Sequence, residues 1–424
     1  MSEKQSFGEL LRALKSKRML IVFLLGFSSG LPIMVFYKTL KIWLRREGIE
    51  LSTIGFFSWI TTFYSFNFAW AFLLDKFSLT KLGRRRSWMI LTQLGLMTGF
   101  ASMTFADPKV SLTYIAIVTL VLCFFSATQD IAVDAYRREI LSDEELGVGA
   151  ALSVYGYRIG MLVASGFALW TVDKDTLGLS FQQSFWILVF CMGVGLFASL
   201  WADKAPVSQD LEKKSLSSFI IEPFVDFFRR PGAAYVFFFI LFYKLGDAMG
   251  GSMLSPFYVD LGFSNKIIAE VTSGVGFVST LVGLFLGGIV LFRLGYFWAL
   301  LIFGIFQSVS TALFGILSMT GASIPALSFV VAIEDLSAGM GTAALVAFMG
   351  HLTNKNFTAA QYALFASLAS ISRTLFAGYA GVLVEKISYA PFFVFCSVIA
   401  LPGVLLVLVL KRKFPETFQS AVKR

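Results

Sequence analysis

The stretch Thr128-Gln129-Asp130-Ile131-Ala132-Val133-Asp134-Ala135-Tyr136-Arg137 sets two carboxylates inside an otherwise apolar run, and Glu334-Asp335-Leu336 echoes it in the second half. Each acidic group precedes an arginine by one apolar segment, Arg158 in the first case and Arg373 in the second. A charge at bilayer depth costs about 3 kcal/mol or more unless it pairs or lines a watery path. Its recurrence in both halves therefore implies a duplicated membrane fold with a polar route through it.

The composition agrees. Of 424 residues 57% are hydrophobic and 14% charged, and the mean hydropathy is +0.77. That is more apolar surface than a water-soluble core buries. Runs long enough to span hydrocarbon lie near 19–40, 53–74, 88–106, 111–136, 147–172 and 181–202, then near 233–258, 264–291, 296–318, 324–350, 358–384 and 389–410. The expected fold is an all-α membrane protein of twelve transmembrane helices in two six-helix bundles. Residues 1–202 form the first bundle and 233–424 the second, with a short cytoplasmic tail. Residues 203–232 form a cytoplasmic linker, in which Phe219, Ile220, Ile221, Phe224, Phe227 and Phe228 make an amphipathic segment suited to a lipid surface.

Lys and Arg set the orientation. With the N-terminus inside, the outer loops carry only Lys41, Arg45, Arg46, Lys109, Lys174, Lys266 and Lys386, and most of the 35 basic residues fall on the inner side. The positive-inside rule then puts both termini in the cytoplasm. The net charge of +9 belongs to loops that face lipid head groups, not to a nucleic-acid surface. The basic N-terminus with Lys4, Arg12, Lys15, Lys17 and Arg18 resembles the start of a signal peptide, but the apolar run after it is too long and lacks a cleavage site, so it is expected to stay as the first span. Cys123, Cys191 and Cys396 stand singly in apolar runs, so neither a disulfide framework nor a metal site is expected, and no cofactor is implied.

The halves echo each other in the same orientation, the parallel-repeat pattern of the major facilitator superfamily. A second signature follows the second span: Asp75, then Gly83-Arg84-Arg85-Arg86, which resembles that superfamily's loop motif of an Asp, a turn Gly and a basic cluster. An Asp at a helix end can pair with Arg and face a neighbouring helix N-terminus, which gives these residues a gating role. Ordinary cytoplasmic anchoring also explains a basic cluster there.

Further strings narrow the resemblance. Gly30-Leu31-Pro32, Thr53-Ile54-Gly55-Phe56-Phe57-Ser58, Ser126-Ala127-Thr128-Gln129-Asp130-Ile131, Gly156-Tyr157-Arg158, Tyr243-Lys244-Leu245-Gly246-Asp247-Ala248 and Gly339-Met340-Gly341-Thr342 occur in order across the chain and look like the AmpG muropeptide permease family. The resemblance implies proton-driven import of anhydromuropeptides, GlcNAc-anhydroMurNAc and its peptides, through the bacterial inner membrane for peptidoglycan recycling, by a protein expected to act as a monomer. Two positions depart from the enterobacterial pattern: Asn67 stands where a Lys is usual, and Lys38 where an uncharged residue is. Other readings are a related transporter of an acetyl-CoA-like compound, a siderophore or a peptide, or a membrane sensor that transports nothing.

The residues support assignments of their own. Asp130 and Asp134 are four apart and share a helix face, the arrangement for a proton-coupling pair. A permanent ion pair that orients helices is the plainer alternative. Arg158, flanked by Gly156 and Gly160, points away from that small-residue packing face and offers a fork for a carboxylate. Gln129, Tyr157, Arg158, Tyr243, Lys244, Asp247, Glu334, Asp335 and Arg373 make the candidate substrate-binding set. Gly26-Phe27-Ser28-Ser29-Gly30 matches the GxSxG string of some hydrolases. The only histidine, His351, is expected at the edge of the tenth span, where it supplies no base to that serine, so an enzyme is not expected.

Overall fold

A computed structural model describes residues 16–142, 145–205, 225–352 and 358–418. The described residues form helices in the order the sequence predicts. α1 spans Lys17–Arg46. α2 runs over 51–76 in pieces, Leu51–Phe56, a 3-10 turn Phe57–Thr61, Thr62–Phe66 and Phe68–Lys76. α3 is Arg84–Met103, α4 Leu112–Ile140, α5 covers 146–172 and α6 is Phe181–Trp201. α7 spans Ala233–Asp260. α8 and α9 cover 265–294 and 296–320, and Gly295 divides them in a left-handed conformation (φ 75°) open only to a residue without a Cβ. α10 is Ile324–Leu352, α11 Thr358–Ile387 and α12 Tyr389–Lys413. Nine helical stretches among the described residues are long and apolar enough to cross a membrane, and the Asn265–Thr320 stretch holds two such lengths either side of Gly295. With α2 and α3 the arrangement is consistent with twelve spans.

The chain divides into two compact units, residues 16–47 with 66–205 and residues 48–65 with 225–418. In the first, Met19, Val22, Leu25, Met89, Val133, Tyr136 and Ala198 from α1, α3, α4 and α6 share a core. In the second, Phe239, Tyr243, Phe303, Phe348, Phe365 and Val407 from α7, α9, α10, α11 and α12 do so. The first part of α2, residues 51–65, belongs to the second unit, where Trp59 Nε1 donates to the Leu375 carbonyl at 3.1 Å and Ser65 meets Ser370 at 2.7 Å. Residues 206–224, with most of the expected amphipathic segment, lie outside the described residues. At its far end Phe227 is buried and stacks edge-on against Phe365 at 4.9 Å, while Phe228 stays exposed.

Lipid tails are as apolar as leucine, so helices in a bilayer associate through close backbone packing, not hydrophobic expulsion. Glycines make that possible here. A Cβ at Gly26 or Gly30 of α1 would strike the carbonyls of Ser153 and Tyr157 on α5, and one at Gly156 or Gly160 would strike those of Phe23 and Phe27 on α1. The two GxxxG pairs thus interlock. α8 and α10 repeat the device, Gly283 lying on the Leu336 carbonyl and Gly339 on that of Thr280.

Candidate functional site

In the first unit α4 carries the acidic pair. Asp130 lies ten residues from the Ile140 end of α4, roughly 15 Å into the helix. Its Oδ1 is shielded from solvent and accepts no hydrogen bond among the described residues. Asp134, one turn on, has a side chain 66% exposed and pairs with Arg137 at 3.0 Å within its own helix. Gln129 is fully buried and turns to α1, its Nε2 donating to Ser28 Oγ at 3.0 Å while its Oε1 has no partner among the described residues. Arg158 is half-buried, about 18 Å into α5 by helix rise, and makes no ion pair among the described residues. Tyr157 is half-buried beside it, and its backbone packs on Gly30.

In the second unit the break in α7 organises the polar groups. The helix Ala233–Tyr243 stops, Lys244 takes a non-helical conformation (φ −106°, ψ 6°), and Leu245–Asp260 resumes. Close approach to α12 accompanies the break: a Cβ at Gly246 would strike the Cys396 carbonyl, and one at Gly403 the backbone of Tyr243. Lys244 Nζ lies 3.0 Å from Gln307 Oε1 on α9, 3.4 Å from Asp247 Oδ2 and 3.5 Å from the Ala338 carbonyl on α10. Glu334 sits behind this pair, 7% exposed. Ser310 Oγ donates to its Oε2 at 2.5 Å and Thr311 Oγ1 to its Oε1 at 3.2 Å. The structure therefore gathers Lys244, Asp247 and Glu334, with Gln307, Ser310, Thr311 and Ser337 as partners that sequence reasoning did not single out.

Other expected residues go elsewhere. Tyr243 lies in the hydrophobic core, its hydroxyl donating to the Leu300 carbonyl at 2.9 Å. Asp335 turns to α8, where Gly276 leaves the space its carboxylate occupies. The side chains of Arg373 and Asp75 lie outside the described residues.

The basic loop is described in detail. Gly83, at φ 105°, ends the loop and caps α3 in a conformation suited to glycine. Arg84 Nη2 and Arg85 Nη2 reach Glu139 Oε1 on α4 at 3.0 and 2.6 Å. Arg85 Nη1 also donates to the Leu74 carbonyl at the end of α2 (3.1 Å), and Arg86 donates to the Ser199 and Leu200 carbonyls at the end of α6. The cluster therefore staples α2, α3, α4 and α6. Glu139 was missed in the sequence, although an acidic residue directly after Arg137-Arg138 in a basic stretch was the signal. Glu139→Gln is expected to leave two guanidiniums without their shared carboxylate, shifting the conformational balance by about 1–3 kcal/mol. Labelling rates of cysteines placed in the loops of α2–α3 and α4–α5 check this, and unchanged rates refute it.

A helical membrane chain of two units, each holding charged groups at span depth, has the architecture of a secondary transporter. A family model described as Major Facilitator Superfamily matches residues 19–333. The anhydromuropeptide permease of Escherichia coli K12 is 39% identical over 415 residues, covering 97% of this chain and 83% of that protein. A putative transporter, AmpG 4, of Rickettsia felis is 37% identical over 406 residues, covering 94% and 98%. Among solved structures, a D-xylose-proton symporter superposes with a TM-score of 0.70 at 14% identity, covering 95% of this chain and 98% of that one. A bacterial homologue of the human lysosomal transporter Spinster gives 0.71 at 12%, covering 98% and 100%. At such identities these two show the fold alone. The chain belongs to the major facilitator superfamily and, within it, to the AmpG permease family. It is a multi-pass membrane transporter and not an enzyme. Ser28 of the GxSxG string accepts from Gln129 and lies 3.8 Å from Met192 Sδ, and the flanking glycines are helix-packing positions.

Proposed function

We propose that this chain imports anhydromuropeptides, GlcNAc-anhydroMurNAc and its peptides, from the periplasm across the bacterial inner membrane, coupled to protons. The observation that carries the reading is the relationship to the E. coli anhydromuropeptide permease across 97% of the chain. The N- and C-termini lie in the cytoplasm by the distribution of Lys and Arg, and the protein works as a monomer. Asp130 takes the proton-coupling role in the first unit, supported by the shielded, unpartnered Oδ1. A carboxylate without a fixed cation is free to load and release a proton as its surroundings change. Asp134, tied to Arg137, tunes the field at Asp130. Arg158 and Arg373 meet the stem-peptide carboxylates, and Lys244 with Asp247 meets the ligand's opposite charges. Asp75 completes the gate formed by Gly83, Arg84, Arg85 and Arg86.

Uptake of radiolabelled GlcNAc-anhydroMurNAc-tripeptide into vesicles carrying the purified protein, under an imposed pH gradient, tests the reading. Uptake that does not respond to the gradient refutes the coupling, and no uptake or counterflow refutes the substrate. A sharper prediction follows for Arg158→Lys. Lysine keeps the charge but loses the two-pronged fork, so affinity for the tripeptide form is expected to fall about tenfold, close to 1.4 kcal/mol. The peptide-free disaccharide lacks stem carboxylates and should lose much less. Equal losses for both ligands refute a stem-binding role.

A further inference from the structure

Glu334 is a buried carboxylate whose hydrogen-bond partners are neutral hydroxyls. The helix rise puts it roughly 15 Å into α10, 7% exposed, and both carboxyl oxygens are held by hydroxyls. A carboxylate held by Arg or Lys is fixed in its charged form, but one held by hydroxyls is not, because a hydroxyl both donates and accepts. Here each hydroxyl has a second acceptor in place. Ser310 Oγ lies 3.0 Å from the Gln307 carbonyl and 2.7 Å from Ser337 Oγ, and Thr311 Oγ1 lies 3.0 Å from the same Gln307 carbonyl. When Glu334 is charged, Ser310 and Thr311 donate to it. When it is neutral, its own O–H donates to Ser310 Oγ and the serine proton turns to the Gln307 carbonyl. The Glu334 carboxyl oxygens and the Ser310 and Thr311 hydroxyls keep partners in either state, so neither state carries the penalty of an unmade hydrogen bond at the carboxyl.

The charges around it supply the coupling. Lys244 and Asp247 on α7 and Asp335 beside it on α10 are the charged groups acting on Glu334, with the Tyr258 hydroxyl and the Cys396 thiol also in its field. Lys244 is the only cation of this group among the described residues, against three carboxylates. Its ammonium rests on Gln307 and Asp247 and makes no ion pair with Glu334. Gln307 Nε2 is buried with no partner among the described residues, so this amide has a donor to spare when the lysine moves.

We infer that Glu334 is a second proton-carrying carboxylate of the transport cycle, loaded when the Lys244 ammonium is drawn to a ligand carboxylate and discharged when that ammonium returns. This rests on the reading of a proton-driven importer. In the step, a proton from water on the supplying side forms an O–H bond at a Glu334 carboxyl oxygen. On the opposite side the same bond breaks and the proton returns to water, with no electron transferred. The ligand's negative charge replaces that of Glu334 as the counter-ion of Lys244. With Asp130 the cycle moves two protons per solute, and Glu334 holds a proton where it would otherwise hold substrate.

The test is the limiting accumulation ratio in vesicles carrying the full chain, an equilibrium quantity that a slower cycle does not change. Each coupled proton contributes about tenfold per pH unit of gradient, so the wild type should approach about a hundredfold. Glu334→Gln should fall to about tenfold per unit, and Glu334→Gln with Asp130→Asn should only equilibrate. A wild-type ratio retained by Glu334→Gln overturns the inference. A second measurement stands apart from flux and from the choice of ligand. Infrared difference spectra of the unliganded protein across a pH titration should show a protonated-carboxyl band that Glu334→Gln removes and that Ser310→Ala displaces. A wild type that transports no anhydromuropeptide but shows this band refutes the substrate reading and leaves the proton site standing. Absence of the band overturns the proton site.

Discussion

Asp130→Asn is expected to lower the limiting accumulation of anhydromuropeptide about tenfold for each pH unit of imposed gradient, the worth of one coupled proton. Asparagine keeps the size and the polarity of the side chain but cannot bind and release a proton near neutral pH. The Asp130 Oδ1 accepts no hydrogen bond among the described residues, and asparagine keeps a side-chain oxygen to accept from the Ser29 hydroxyl on α1, so the substitution removes little that holds α4 to its neighbours. The effect should therefore appear in coupling and not in folding. Thermal unfolding of the detergent-solubilised variant should match the wild type while the accumulation ratio drops. An unchanged ratio removes Asp130 from the proton path. A loss of folding instead shows that its carboxylate serves packing.

The second large effect is structural. Gly30→Ala is expected to destabilise the protein by about 3 kcal/mol or more, the upper range for overpacking a tight interior. The added methyl would overlap the Tyr157 carbonyl, and backbone atoms cannot rotate out of the way as a side-chain tip does. Relief requires α1 and α5 to separate, which breaks the contacts of Gly26, Gly156 and Gly160 together. Gly193→Ala is the control, since a Cβ there meets nothing within 4 Å on α6. It should be neutral or stabilise by about 0.5–1 kcal/mol through its helix propensity. Unfolding temperatures of the two variants measure the contrast, and equal values refute the interlocking role of the α1 and α5 glycines.

Much of this protein was legible in one dimension. Apolar runs of span length mark the membrane class, and the echo of Gln129-Asp130-Ile131 in Glu334-Asp335-Leu336 marks the two halves. The spacing of Gly156 and Gly160 marks a packing face, because helix geometry sets which residues share a face. Periodicity names a face but never what covers it, and here the tertiary structure decided. Tyr243, adjacent to a charge in sequence, sits in the core with its hydroxyl on Leu300, 57 residues away. Glu139 draws in Arg84 and Arg85 across 55 and 54 residues. Ser310 and Thr311 read as ordinary small residues of an apolar run until α9 and α10 pack and set them on Glu334. Residues 51–65 of α2 lie within the first half of the sequence yet pack with the second unit. In every case the deciding term is a contact between distant segments. A buried polar group must find a partner wherever the packing offers one, and the chain order does not say where that is.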